Sequence, residues 1–178
     1  MKMFLILILV LIGLVVVSVV AVILLTPWMD RWGATDEEVS AKFPGDELVP
    51  TPSSFVNRAI TIHASPERIY PWLVQMGGGK GGLYSYSFLE KLMRCPLVNA
   101  DRIHEEWQNL QVGDEVKMCP DEPAPPPYIV AQIYPNRALI LGHEENDKWV
   151  DLCQFVLILQ SGGSTRLILR TRPMKTGG

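Results

Sequence analysis

From residue 4 to residue 25 the chain reads FLILILVLIGLVVVSVVAVILL, an apolar run broken only by Gly13 and Ser18. A bilayer's hydrocarbon core takes about 20 helical residues, and soluble core helices do not sustain such a stretch without an ionisable group. The run predicts one membrane-crossing helix over residues 4–25, within an anchor spanning residues 1–29. Trp28 and Trp32 follow it, where amphipathic rings favour the headgroup zone. The competing reading is a secretory signal peptide, with Lys2 ahead of the run and Val19-Val20-Ala21 as a weak cleavage site. Such peptides have apolar cores of only about 7–15 residues, and this run continues past that cut. Lys2 and the α-amino group are balanced by Arg31 and, farther on, Lys42, so positive-inside logic leans slightly to a cytoplasmic N-terminus and an extracytoplasmic domain.

In a chain of 178 residues, that anchor leaves room for one domain. Residues 30–54, DRWGATDEEVSAKFPGDELVPTPSS, are polar and acidic, and Pro44, Gly45, Pro50 and Pro52 interrupt any periodicity. They read as a tether holding at most one helical turn at Asp36-Glu37-Glu38. The domain then occupies residues 55–172, followed by a tail at 173–178. A net charge of −3 with both signs interspersed leaves no basic face or arm for nucleic acid. Cys95, Cys119 and Cys153 are far apart, form no CxxC pair and lack a histidine at zinc-ligand spacing. They read as buried or free thiols, and neither a metal site nor a cofactor is expected.

β-branched residues dominate positions 55–64, which read as a strand. Ser65-Pro66 then caps a helix in which Ile69, Trp72, Leu73 and Met76 recur at helical spacing and Pro71 deletes one donor. GGGKGG at 77–82 ends that helix. It follows a helix rather than a strand, and its Lys80 precedes glycine, so a phosphate loop is not expected there. Ser87-x-x-Glu90 has the form of a capping box for a second short helix carrying Leu89, Leu92 and Met93 on one face. A further helical turn is expected around Ile103 and Trp107. Short strands follow at 115–119, 128–134, 138–143, 149–160 and 165–172, joined closely enough for antiparallel hairpins. The fold class is α+β, with helices on one side of a curved antiparallel sheet.

The segments ASPERIYPWLVQMG at 64–77, GGLYSY at 81–86, NADRI at 99–103 and LQVGD at 110–114 resemble the START/polyketide-cyclase-like (SRPBCC) superfamily, in its membrane-anchored bacterial branch. The resemblance covers roughly residues 34–172. It implies a helix-grip fold, in which a bent sheet wraps a long C-terminal helix and two short helices close one end over an apolar cavity. Relatives of this kind bind lipids, sterols, quinones or polyketides, and some cyclise or dehydrate them. In this chain PMKTGG follows residue 172 where the family has its long helix, so the grip helix is expected to be missing, and one wall of the cavity with it.

The expected function is therefore a membrane-tethered binding module for a hydrophobic small molecule or lipid. The alternatives are a cyclase/dehydratase-type enzyme on a similar ligand, or a truncated form without autonomous activity. Trp72, Tyr84, Tyr86 and Trp107 are the candidate ligand-binding residues, since rings with polar tips give contact area and one directional hydrogen bond. No catalytic residue is assigned. His104-Glu105-Glu106 and His143-Glu144-Glu145 read as solvated surface, and His63 as a capping or partly buried residue. On the last strand Thr165, Leu167 and Leu169 share one face, and Arg166, Ile168 and Arg170 the other. The first face is the more apolar and calls for a covering layer, supplied by self-association, a partner, a lipid or the bilayer.

Overall fold

The computed structural model describes residues 2–54, 56–121 and 124–174. Phe55, where the first strand is expected to open, and residues 175–178 of the expected tail lie outside the described residues. Helix α1 (Lys2–Asp30) is continuous, about 44 Å long at 1.5 Å per residue. An 18-residue window within its segment Ile8–Asp30 has a mean hydropathy of 3.5, so the helix is long and apolar enough to cross a membrane. The Ser18 hydroxyl donates to the Leu14 carbonyl at 2.8 Å and the Thr26 hydroxyl to the Val22 carbonyl at 2.7 Å. Both polar side chains are thus satisfied inside the helix, as a lipid environment requires.

The domain is a six-stranded antiparallel sheet in the order β1-β6-β5-β4-β3-β2. Its strands are β1 (Val56–Ile62), β2 (Glu115–Val116), β3 (Tyr128–Tyr134), β4 (Ala138–Glu145), β5 (Lys148–Leu159) and β6 (Thr165–Thr171). Breaks in register at Val130/Gln132 and His143/Glu144 bend the central strands. This is the α+β, helix-grip-like plan expected from the sequence. Between β1 and β2 lie α3 (Pro66–Val74), α4 (Ser87–Leu92) and a 3-10 turn at Glu105–Trp107. Among the described residues no helix follows β6.

Both faces of the sheet carry a core. On the inner face, Ile69, Tyr70, Leu73 and Val74 of α3 pack with Val130, Leu139, Leu141 and Leu157. On the opposite face, Ala59, Ala138, Ile140, Leu152, Val156 and Ile168 are buried together with Val49. That explains why all of residues 138–142 are buried although adjacent strand residues point to opposite sides.

The second cover comes from the segment that composition marks as a tether. Residues 34–50 lie along the sheet as a strap, with Val49 1 % exposed and Ala34, Phe43 and Leu48 packed beside it. The strap opens with α2 (Asp36–Ser40), whose capping box joins Thr35 and Glu38. Three arginines projecting from β6 or just beyond it hold the strap down. The Arg166 Nε donates to Glu38 Oε1 at 2.6 Å, and its terminal amino group also reaches the Gly33 carbonyl. Arg170, 2 % exposed, donates to Asn57, to Asp46 and to the carbonyls of Glu38, Val39 and Ala41, and stacks over the Phe43 ring at 4.4 Å. Arg172 reaches the Val49 carbonyl and Asp46. The face of β6 that reads as the less apolar is therefore the covered one. Its arginines satisfy backbone carbonyls that proline- and glycine-broken chain cannot satisfy for itself.

The strap also ties α1 to the sheet. The Ala59 N–H on edge strand β1 donates to the Trp32 carbonyl at 3.1 Å, and Arg58 Nε to the Met29 carbonyl at 3.1 Å. Between them Gly33 takes φ +72°, and a Cβ there would collide with the Ala59 carbonyl oxygen. Only glycine passes this junction without strain.

Two local readings are corrected. Cys95 and Cys119 form a disulfide, leaving Cys153 as the free thiol. The glycine loop brings them together, since the Gly78 N–H bonds the Lys117 carbonyl at 2.7 Å, placing 117–119 beside the chain that leaves α4. Helix α4 lacks the expected capping box, because its N-cap is Tyr86 and makes no side-chain cap bond. Glu90 instead accepts a hydrogen bond from Ser85.

Replacing Arg170 with Met should lower stability by about 3 kcal/mol, because it removes one of the two arginines on the Asp46 carboxylate and the donor to Asn57 and three strap carbonyls. Denaturant unfolding gives the loss, and limited proteolysis should cut first within residues 34–50. An unchanged midpoint would contradict the clamp. The Arg166 guanidinium holds the Glu38 carboxyl below its ordinary value. That part of the stability is present at neutral pH and is lost as pH falls through the depressed value.

Candidate functional site

Strand alternation decides what meets on the inner face. Two cross-strand rows run across it from the β1 edge: Arg58, Leu169, Phe155, Leu139 and Ile133, then Val56, Thr171, Cys153, Leu141 and Val130. Helix α3 buries the end of these rows on β3 and β4. Towards β1 its cover stops, leaving Phe155, Leu167 and Leu169 half-buried and Ile60 42 % exposed.

At one end the apolar floor passes into a polar cluster. His143 and Asp151 are register partners on β4 and β5. The Asp151 carboxylate accepts the His143 backbone N–H at 2.9 Å and lies 2.9 Å from Nδ1. Nε2 faces the Pro126 carbonyl at 3.3 Å. The Tyr128 ring packs on the imidazole, with centroids 4.2 Å apart. Burial, reinforced by Cys153 and Asp151, pushes the Tyr128 phenol up to about 12. Burial, reinforced by Asp151, pushes the Cys153 thiol up to about 12. Both groups are neutral at physiological pH, so the cluster offers hydrogen-bonding partners and no activated nucleophile. The Tyr70 hydroxyl of α3 is buried with no hydrogen-bond partner among the described residues. Such a surface suits an elongated apolar molecule with a hydrogen-bonding end.

The four aromatic residues expected at the site do not converge. Trp72 and Tyr84 meet edge to face at 5.7 Å. The Tyr84 hydroxyl accepts from Gln75 Nε2 at 2.9 Å. Gln75 is fully buried, and its amide also bonds the Arg102 carbonyl, the His104 N–H and Gln108. A Cβ at Gly81 would lie 2.7 Å from both the Gln75 carbonyl oxygen and the Tyr84 hydroxyl, so the glycine loop exists to wrap this hub. Trp107 stacks on His104 at 4.1 Å and lines a separate cleft of about 610 Å3 with Leu97 and Pro120. Tyr86 is 75 % exposed, in a strip with Phe88, Leu92 and Met93. His63 is exposed rather than capping or partly buried.

The expectation that His143 is solvated surface is corrected, since it is half-buried against Asp151 and Tyr128. Its partners come from strands eight and fifteen residues away in sequence, a separation that local composition does not bridge. The available signal was the period-two set Asp151, Cys153 and Phe155, which places all three on one face.

No family model matches the chain, and none of the curated proteins does. Solved structures resemble it at low identity. An Aha1 dimer from Colwellia psychrerythraea is 19 % identical, with 70 % of this chain and 80 % of that one covered and a TM-score of 0.42. A protein from Mesorhizobium loti is 16 % identical over 68 % of this chain and 78 % of its own, at 0.41. A conserved protein of unknown function from Enterococcus faecalis is 14 % identical over 68 % of this chain and 57 % of its own, at 0.40.

Tyr128 and Cys153 have folded-state values above their unfolded ones, so they contribute stability that is complete below the unfolded values and is lost as pH rises to about 12. Unfolding midpoints measured across the alkaline range should fall, and a Tyr128→Phe, Cys153→Ala double variant should fall less steeply. A Cys153 thiol that alkylates at neutral pH as fast as a free model thiol would contradict the assignment, since its thiolate should be roughly a thousandfold scarcer.

Proposed function

We propose that this chain is a membrane-tethered binding module for a hydrophobic molecule with a polar end, of the START/polyketide-cyclase-like kind that its sequence segments resemble. The observation that carries the reading is the inner face, where half-exposed apolar side chains on β1, β5 and β6 run into the hydrogen-bonding Tyr128-His143-Asp151-Cys153 cluster. Leaving such a floor wet forgoes about 25 cal/mol for each Å2, and a bound apolar molecule recovers it. Helix α1 spans the bilayer in this reading, and the domain lies on the extracytoplasmic side. The Cys95–Cys119 disulfide supports that placement, because disulfides persist in oxidising compartments.

The second reading, a cyclase/dehydratase-type enzyme on a similar ligand, is favoured by the His143–Asp151 pair. Neutral Tyr128 and Cys153 beside that pair weigh against it, because neither supplies a nucleophile.

Native mass spectrometry of the full chain released from membranes should show a co-purifying hydrophobic molecule. Phe155→Asp should abolish its retention and His143→Ala should lower occupancy without changing its mass. A new ligand mass in His143→Ala would favour the enzyme, and an empty wild-type protein would overturn both readings. In unreduced membranes a maleimide should label Cys95 and Cys119 only after reductant is added. Free labelling of both would refute the extracytoplasmic placement.

A further inference from the structure

The uncovered half of the inner face adjoins the point where α1 meets the sheet. Alternation along β1 puts Arg58 on the same side as Ile60 and Ile62, at the head of the row Leu169-Phe155-Leu139. Arg58 also lines a cleft of about 330 Å3 with Trp28, Met29 and Trp32 at the end of α1. Its Nε is fixed by the Met29 carbonyl at 3.1 Å, while its two terminal amino groups have no partner among the described residues. Arg31 nearby is paired with Asp36, and the β6 arginines are committed to the strap. One guanidinium is thus held in place, aimed by its own Nε bond, and free to bind.

Its surroundings specify the ligand. Two exposed tryptophans, one in the last turn of an apolar helix and one just past it, mark the headgroup depth of a bilayer. A planar guanidinium with free amino groups matches a phosphate diester through paired hydrogen bonds. The apolar row that begins at Arg58 offers a floor for a hydrocarbon chain. We infer that the junction of α1 and β1 is a binding site for an anionic phospholipid of the surrounding membrane, with its phosphate on Arg58 between Trp28 and Trp32 and one acyl chain lying along Leu169 and Phe155. The inference rests on the binding reading above and names the ligand class and its entry point. The lipid reaches the sheet sideways from the leaflet, without crossing water, because the Trp32–Ala59 and Met29–Arg58 bonds keep this edge against the end of the anchor.

The test uses the full chain in nanodiscs of equal phosphatidylcholine and phosphatidylglycerol, released into mild detergent and weighed by native mass spectrometry. The wild type should retain phosphatidylglycerol in excess over its share of the disc. Arg58→Gln should erase the excess, Arg58→Lys should keep part of it, and Phe155→Glu should lose the retained lipid. Inorganic phosphate at millimolar concentration should leave the lipid in place. Persistent phosphatidylglycerol preference in Arg58→Gln, or displacement by phosphate alone, overturns the inference. A wild type that retains only a neutral hydrophobic molecule overturns it and leaves the binding function standing, whereas one that retains nothing overturns both. An intact Cys95–Cys119 disulfide and unchanged circular dichroism certify that each variant is folded.

Discussion

Everything about this domain's shape depends on three arginines on one face of the β6 segment. Arg166, Arg170 and Arg172 point away from α3 and take hold of a segment that has no regular structure beyond α2. A sheet that buries Ala138, Ile140, Leu152 and Ile168 on that side needs a cover, and the arginines supply it by satisfying the strap's own backbone carbonyls. Each guanidinium offers five donors in a rigid fork, which suits it to gathering several carbonyls at once where lysine could not. Asp46 bridges Arg170 and Arg172, so one carboxylate offsets part of the two buried positive charges. Burial still pulls Arg170 below its ordinary value.

Because the strap is continuous with α1, the clamp also sets the relation between that helix and the domain. A loose tether would let the domain sample many orientations over a bilayer. Here Gly33 and Trp32 pass directly onto β1, and the Ala59 N–H of that edge strand finds the Trp32 carbonyl just beyond α1. The inner face is then the surface left for function. Its α3 end is closed, its β1 end is open beside the end of α1, and its far end carries the hydrogen-bonding cluster.

The sheet was largely legible in the sequence. Alternation and turn residues located β3 to within its exact ends and β4, β5 and β6 to within a few residues, because hairpins are specified locally by turns such as that at Asn136. The strap was not legible, because its stabilising partners, Glu38 with Arg166 and Asp46 with Arg170, are more than 120 residues apart. Proline and glycine there signal the absence of helix, which is true, yet they say nothing about docking. The Cys95–Cys119 pair was hidden for the same reason, since the glycine loop that joins its flanks has no spacing rule. Aromatic side chains were sensible candidates by chemistry, but Gln75 draws the Tyr84 hydroxyl into a structural hub instead. Asp151 and Tyr128 look ordinary, and Cys153 reads only as a buried or free thiol, until three strands are placed side by side.

If α1, strap and sheet form one unit and the inner face binds an apolar molecule as proposed, backbone protection responds to lipid on that face alone. Amide hydrogen exchange of the full chain, in lipid nanodiscs and again after delipidation, reads this out. Exchange in residues 34–50 should be slow under both conditions, with protection of β1, β5 and β6 reduced once lipid is removed. Fast exchange throughout 34–50, together with strand protection indifferent to lipid, would contradict it.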